Sequence, residues 1–487
     1  MPGQLRRLGT DTAIYGASTI VGRFLNFLLV PFYTNVLHPG EYGIVAYVYS
    51  LIAFLNVIYT YGMESAYFKY ASTGELGDER QNFSTPFISL LLTSAVLSGA
   101  MALTAAPLNR LLLLPEEHAA LPLYAAAILL LDTAAIVPFA SLRMEGKAAL
   151  FAVLKVLNIV VNVGCNLLLL LVAGAGLEGI FLSGVIASGF TLLTLIPTVR
   201  RRFTLRFSSS LYKALLSFGL PYVPAGLAAM VIQVIDRPIL RALTNDATVG
   251  VYQANYRLGI FMMLIVSMFD YAWRPFFLSH AKDPDAKSLF ARVLSYFVAG
   301  ATAVFLVLTF FIQDLVQLKI FGRAIIHADY WGGLSIVPVV LLAYVFLGVY
   351  NNLMAGVYIE KKTARLPVIT FAGAAANVAA NFVLIPLMGM MGAAVATLIA
   401  YVVMAAVLYV DVQRFYPVRY EWGRLARIAG AACSVLLLAL AVDGGPYRIV
   451  WRIVLLVVFC ALLYLSRFFT PAELRTLRAL FGRPAAE

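Results

Sequence analysis

Four cations stand inside apolar stretches where charge is expensive: Arg23, Lys155, Arg237 and Arg257. A charged side chain in a bilayer interior costs at least ~2.5–3.5 kcal/mol, so such residues normally face a bundle interior or a watery cavity. A cavity lined by cations suits an anion, most plausibly phosphate, which arginine grips with a planar fork. Two carboxylates, Asp132 and Asp236, lie in similar stretches. They leave two roles open. Each cation contacts a substrate, or it is half of a structural ion pair, and the two acids are themselves candidates for coupling or gating.

Other polar groups carry a weaker signal. Asp270 and Arg274 are four residues apart on one helical face, the spacing of an intrahelical ion pair. Arg241 is expected to snorkel outward from its helix end. Asn162 and Asn166, like Asn377 and Asn381, stack one helical turn apart. Hydrogen bonding between helices is their commoner use in membranes, and sugar contact is the alternative. Pro221, Pro224 and Pro238 mark kinks in a charge-bearing helix, which also suits a gate. His38, His118, His280 and His327 show no metal-ligand spacing, and no nucleophile or phosphate-loop motif is present. Cys165, Cys433 and Cys460 form no paired pattern. No enzyme activity, cofactor or metal is expected, and ATP is not the direct energy source.

The elements that must position these groups are membrane helices. Of the 487 residues, 62% are hydrophobic and only 12% charged, against about a quarter charged in a soluble domain. Apolar runs near the roughly 20 residues of a bilayer span fall at about 10–37, 41–68, 84–106, 119–142, 148–172, 177–198, 214–243, 248–274, 288–313, 331–358, 364–387, 391–411, 425–442 and 447–466. The fold expected is an all-α polytopic membrane protein of about 14 helices. Basic residues concentrate on one side when successive helices alternate, including Arg6, Arg7, Arg200, Arg201, Arg202, Lys361, Lys362, Arg475 and Arg478. That side is cytoplasmic and both termini are inside. The net charge of +12 is thus topological, and nucleic acid is not an expected partner. The first apolar run is too long for a cleavable signal and lacks a small-residue cleavage site.

The chain also repeats itself. Glu145 and Lys147 recur as Glu360 and Lys362, and Asn162 and Asn166 recur at the same offset as Asn377 and Asn381. Tyr42-Gly43-Ile44 corresponds to Val249-Gly250-Val251, with Tyr49 corresponding to Tyr256. An internal duplication accounts for these matches. About six helices separate equivalent points, so the copies share one orientation, related by a pseudo-two-fold along the membrane normal. The expected organisation is an N-lobe at 1–205, a C-lobe at 206–415, and an appended helix pair with a basic tail at 416–487.

The run Leu384-Ile385-Pro386-x-x-Gly389-x-x-Gly392-Ala393-Ala394-x-Ala396-Thr397 resembles a twelfth-helix signature of the multidrug/oligosaccharidyl-lipid/polysaccharide (MOP) flippase superfamily. Leu28-x-x-Pro31-Phe32-Tyr33-Thr34, Glu41-Tyr42-Gly43, Gly62-Met63-Glu64-Ser65-Ala66 and Asp236-Arg237 resemble its polysaccharide transporter branch. That resemblance covers nearly the whole chain. It implies a two-lobed flippase that moves a polyprenyl-diphosphate-linked oligosaccharide from the cytoplasmic to the outer leaflet of a bacterial or archaeal cytoplasmic membrane. Alternating access would be the mechanism, serving cell-surface polysaccharide assembly. Membrane lipids, a coupling ion (H+ or Na+) and pathway glycosyltransferases or a polymerase are the further partners implied. Arg23 fits the branch's first-helix arginine by position, whereas Lys155 and Arg257 are assigned from the residues alone. The first two helices lack clustered arginines, which argues against a lipid-linked peptidoglycan precursor.

Two other functions compete. A cation-coupled exporter of small drugs would display acidic residues in its cavity, whereas the mid-membrane excess here is basic. A membrane polymerase or ligase of the same pathway would need a long outer loop bearing acid–base groups, and the outer loops here are short.

Overall fold

Each apolar run becomes a helix because lipid offers the backbone no hydrogen-bond partner, so the chain must satisfy its own N–H and C=O groups. The computed structural model describes residues 2–320, 322–442, 445–471 and 473, with side chains in the first helix from Ile20 onward. Arg6, Arg7, Arg475 and Arg478, which entered the topology expectation, lie outside the described side chains. Among the described residues, twelve helices are long and apolar enough to cross a membrane, or thirteen if a bent pair is one span. The bounds agree with the expected spans to within a few residues at most ends.

Helix α1 (Pro2–Val36) is followed by α2 (Pro39–Thr60) and α3 (Met63–Thr73). The sequence reads these last two as one span. They separate because Tyr61 and Gly62 both adopt positive φ, +31° and +72°. A Cβ on Gly62 would also lie 2.2 Å from the Gly219 carbonyl oxygen, so only glycine permits that approach. Then come α4 (Glu79–Leu103), opened by a capping box between Asp78 and Gln81, α5 (Ala105–Leu111) and α6 (Leu121–Met144). Helix α7 (Ala148–Leu167) runs into a π-helical turn at Leu168–Val172, and α8 (Gly176–Arg202) ends in the basic loop.

The proline-rich stretch is three helices, not one: α9 (Ser209–Gly219), α10 (Tyr222–Val234) and α11 (Asp236–Leu243). The first two meet at a 41° bend around Leu220 and Pro221. Pro224 and Pro238 fall in the first turns of α10 and α11, where a missing N–H removes no intrahelical bond. After α12 (Asp246–Tyr256) a 3-10 turn at Arg257–Gly259 leads into α13 (Ile260–Ser279). Helix α14 (Ala286–Gln317) precedes a two-residue antiparallel hairpin, Lys319–Ile320 with Arg323–Ala324. The remainder is α15 (Val337–Ile359), α16 (Leu366–Met388), α17 (Met390–Val412), α18 (Trp422–Ala441) and α19 (Arg448–Leu465).

The chain forms two compact units. The first comprises 1–260, 317–337 and 364–404. At its basic-loop end Met63, Tyr67, Phe83, Leu90, Val137 and Leu211 form a buried cluster. Elsewhere in this unit α2 crosses α12 at backbone contact. A Cβ on Gly43 would lie 1.8 Å from the Asp246 carbonyl oxygen, and one on Gly250 would lie 1.9 Å from that of Pro39. Membrane helices associate through such close approaches of small residues, since lipid supplies no hydrophobic drive between them. The contact is reciprocal. Gly43 and Gly250 are 207 residues apart, and so are Pro39 and Asp246. Such a reciprocal exchange is the pattern that a two-fold axis between like helices generates.

The second unit comprises 261–316, 338–363 and 405–487. Trp273 is buried there, edge-on to Phe277 and Phe290, with its indole N–H donating to the Asn352 carbonyl at 3.2 Å. Asp314 of α14 pairs with Arg448, at 2.9 Å, and with Arg452 of α19.

Candidate substrate cavity

A cavity of about 750 Å³ opens within the first unit, walled by α2, α3, α6, α7, α8 and α10. That volume falls in the range of small-molecule sites, about 300–1,000 Å³. Two of the six singled-out residues line it: Asp132 of α6 and Lys155 of α7. Both side chains are exposed despite their depth, because the cavity reaches them. Lys155 stands seven residues into α7, about 10 Å from the basic-loop end, and Asp132 twelve residues before the end of α6, about 18 Å.

Local chemistry fixes both groups. Asp132 accepts a 2.6 Å hydrogen bond from Ser188 Oγ on α8. Lys155 Nζ rests 4.3 Å from the centre of the Phe139 ring, an attraction that holds the ammonium without neutralising it. At the mouth Arg143 donates to Glu64 at 2.8 Å, and both are half-exposed. The guanidinium also covers Phe68 at 4.8 Å. The wall therefore carries two acids and two bases, with Asn56, Asn158, Asn162, Thr60 and Thr191 supplying neutral polar atoms.

Asp236 and Arg237 occupy a different environment. They are 1% and 5% exposed and lie outside the lining of this cavity. Arg237 Nη1 meets Asp236 at 2.5 Å and the Gln233 carbonyl at 2.7 Å, while Nε donates to Gln253 at 3.0 Å. Tyr252 donates to the other Asp236 oxygen, and the guanidinium covers the Tyr256 ring at 4.4 Å. Burial of a charge pair demands partners of this kind.

Arg257 is exposed at the 3-10 turn between α12 and α13, near Tyr33 and Tyr42. Arg23 is half-buried on α1. Neither lines the cavity. Asp270 and Arg274 form the expected i, i+4 pair at 2.9 Å. Arg241 differs from expectation. Instead of snorkelling, it pairs with Asp246 at 2.5 Å and donates to the carbonyls of Leu112 and Leu113 at 2.7 and 2.8 Å. Three open carbonyl and carboxylate acceptors within reach outcompete hydration at a helix end.

Both asparagine pairs hydrogen-bond internally, and Asn166 also accepts from Tyr33 of α1 at 2.9 Å, an interhelical bond. In the second copy the residue 207 positions after Tyr33 is Leu240, which cannot donate, and Asn381 Oδ1 is buried without a partner among the described residues.

Sequence reasoning passed over Arg143, Ser188 and Asn158. Arg143 falls one residue beyond its expected span, so it read as a loop cation. Ser188 is a lone serine in a plain helix. Asn158 did carry a signal: Phe151, Lys155, Asn158 and Asn162 follow i, i+4, i+7, i+11, one helical face, and all four line the cavity.

A family model of polysaccharide biosynthesis proteins matches residues 8–280, more than half of the chain. No curated protein matches the chain in sequence. Among solved structures, the lipid II flippase MurJ in an inward closed conformation matches with a TM-score of 0.70 at 15% identity, covering 94% of this chain and 100% of that one. An inward-facing multidrug-resistance MATE transporter of the MOP superfamily gives 0.63 at 16% identity, covering 80% and 94%. A MOP superfamily transporter from Pyrococcus furiosus, noted for reversed polarity of its binding pocket, gives 0.56 at 14% identity, covering 83% and 95%. At these identities the likeness is one of fold. The chain shares the helical fold of these solved structures and belongs to the polysaccharide biosynthesis protein family.

Proposed function

We propose that this protein is a transporter of the MOP superfamily that flips a polyprenyl-diphosphate-linked oligosaccharide from the cytoplasmic to the outer leaflet by alternating access. The observation that carries the reading is the cavity, which brings Lys155, Arg143 and a set of amides and hydroxyls together inside a membrane bundle. In this reading the basic loops are cytoplasmic, so the mouth at Arg143 and Glu64 stands at inner headgroup depth. The diphosphate takes up Arg143 there and Lys155 further in, both as charge-assisted partners. The sugars occupy the polar wall beyond, and the lipid tail stays in the bilayer. Asp132, held by Ser188 beside the cavity, is the coupling group for H+ or Na+. Arg23 and Arg257 serve other stages of the path, and Arg237 with Asp236 is the structural pair.

One observation favours a second reading. Asp132 and Glu64 line the cavity as well, and an exporter of small cations needs such acids. Proteoliposomes separate the two. They are loaded with a fluorescent polyprenyl-diphosphate disaccharide, and an impermeant quencher reports the leaflet that exposes it. The flippase reading expects protein-dependent exposure that Lys155→Met abolishes. Transport of ethidium with no movement of the lipid would overturn it in favour of the exporter.

A further inference from the structure

The cavity face of α7 has a fixed hydrogen-bond polarity. Asn158 Nδ2 donates to the Ala187 carbonyl at 3.0 Å and to Thr191 Oγ1 at 2.7 Å. A carbonyl can only accept, so the amide nitrogen must lie on that side. Thr191 spends its own proton on the same carbonyl, at 2.9 Å, and so accepts from Asn158. The oxygen Oδ1 of Asn158 is therefore left as an open acceptor on the cavity wall.

Asn162, one turn deeper, has the opposite polarity. Asn166 Nδ2 donates to the Asn162 backbone carbonyl at 2.8 Å and to Asn162 Oδ1 at 2.7 Å. The backbone carbonyl again settles which atom is nitrogen. Asn166 is fully buried and locked from behind by Tyr33, which donates to its Oδ1 at 2.9 Å. With its oxygen occupied, Asn162 is left with its Nδ2 protons as open donors. The equivalent pair in the second copy has the same lock, Asn381 Nδ2 to the carbonyl and Oδ1 of Asn377 at 2.9 and 3.1 Å, but both residues are 0% exposed. The second pair is thus buried, whereas Asn158 and Asn162 line the cavity.

A hydroxyl donates or accepts as its neighbours require, so it makes no use of fixed polarity. An amide does. We propose that Asn158 and Asn162 form a subsite for an acetamido group on a sugar of the substrate, with its N–H donating to Asn158 Oδ1 and its carbonyl accepting from Asn162 Nδ2. The trans amide directs these two groups to opposite sides, as a site between two residues one turn apart requires. Gly184 and Ala187 of facing α8 line the same stretch of the cavity wall. Gly184 is confined in its own right, since a Cβ there would come within 3.0 Å of Ile128. Asn166 and Tyr33 are positioning residues. This inference rests on the flippase reading.

The test uses the full-length protein in lipid nanodiscs and three probes: farnesyl diphosphate, farnesyl-diphospho-N-acetylglucosamine and farnesyl-diphospho-glucose. The wild type is expected to bind the acetamido probe about tenfold tighter than the glucose probe, the value of matched hydrogen bonds against unmatched ones. Asn162→Asp keeps the acceptor that Asn166 uses and removes the open donor, so it should erase the preference between the two glycosyl probes. Tyr33→Phe should weaken the preference about two- to threefold. Equal wild-type affinity for the two glycosyl probes would overturn the subsite while leaving the flippase reading standing, and needs no variant to fold. Retention of the preference by Asn162→Asp would overturn it too. Failure of all three probes to bind the wild type would instead sink the flippase reading and the subsite with it.

Discussion

Two acid–base pairs lie deep in the first unit, and they have opposite surroundings. Asp236 and Arg237 are almost wholly buried and their polar atoms are taken up by each other, Gln253, Tyr252 and a backbone carbonyl. Asp132 and Lys155 are exposed to a cavity and hold lighter ties, to the Ser188 hydroxyl and to the Phe139 and Phe151 rings. Both pairs look alike as charges within apolar runs. What separates a site from a strut is whether the charge's remaining hydrogen-bonding capacity is open to a ligand. A saturated pair resists change, whereas an open pair tolerates substitution and loses function.

The largest effect should come from breaking the closed pair. Asp236→Ala leaves Arg237 buried without a counter-charge and should cost about 3–5 kcal/mol. Folded protein in the membrane, measured by thermal melting in detergent, would drop accordingly. Replacing both residues by apolar ones should recover most of that loss. A single variant that melts like the wild type would remove the contrast.

The close crossing of α2 and α12 comes next. Gly43→Ala and Gly250→Ala each set a methyl against a carbonyl oxygen, so each should destabilise by about 1–3 kcal/mol as an overpacked contact does. Their reciprocity predicts matching losses, and the double variant should lose less than the sum because one separation of the helices relieves both.

At the open pair, Lys155→Met should leave melting within about 1 kcal/mol, the scale of a cation–π contact, yet abolish lipid movement. Tyr33→Phe, at the back of the cavity wall, should cost still less, about 0.6 kcal/mol, the average for a hydrogen bond between membrane helices.

A pH effect separates the cavity from the loop beside it. Glu145, between α6 and α7, is raised by partial burial but lowered further by Lys147, Arg201 and Arg202, which together hold it at about 2 against an ordinary 4.5. Its folded value is depressed, so the unfolded chain takes up protons first as pH falls. The stability it contributes is complete above about 4.5 and fades toward 2. Glu145→Gln should flatten that acid slope in melting curves, and an unchanged slope would show that the cluster contributes nothing.

Much of the fold was legible because lipid enforces it. Most spans from 84–106 through 447–466 reappear as helices, and Gly43 and Gly250, matched in the sequence at an offset of 207, meet at the crossing of α2 and α12. The breaks at Tyr61–Gly62 and Arg257–Gly259 were not legible, since tertiary approach by Gly219 and a local 3-10 turn decide them. For the cavity, residue type singled out Asp132 and Lys155, which line it, but type alone could not tell them from Asp236 and Arg237, which do not. Burial separates them, and burial depends on neighbours such as Gln253 and Tyr252 that are far from charged in appearance. Arg241 shows the same limit, because its acceptors at Leu112 and Leu113 are backbone atoms more than a hundred residues away.

The central claim is that the open pair works on substrate and the closed pair works on structure. The direct measurement is lipid exposure in proteoliposomes, expressed per molecule of folded protein, for Lys155→Met and for Arg237→Lys side by side. The account predicts at least a tenfold loss for Lys155→Met at normal melting temperature, and near-wild-type movement per folded molecule for Arg237→Lys at a lowered one. Full movement by Lys155→Met, together with loss of movement by well-folded Arg237→Lys, would contradict it.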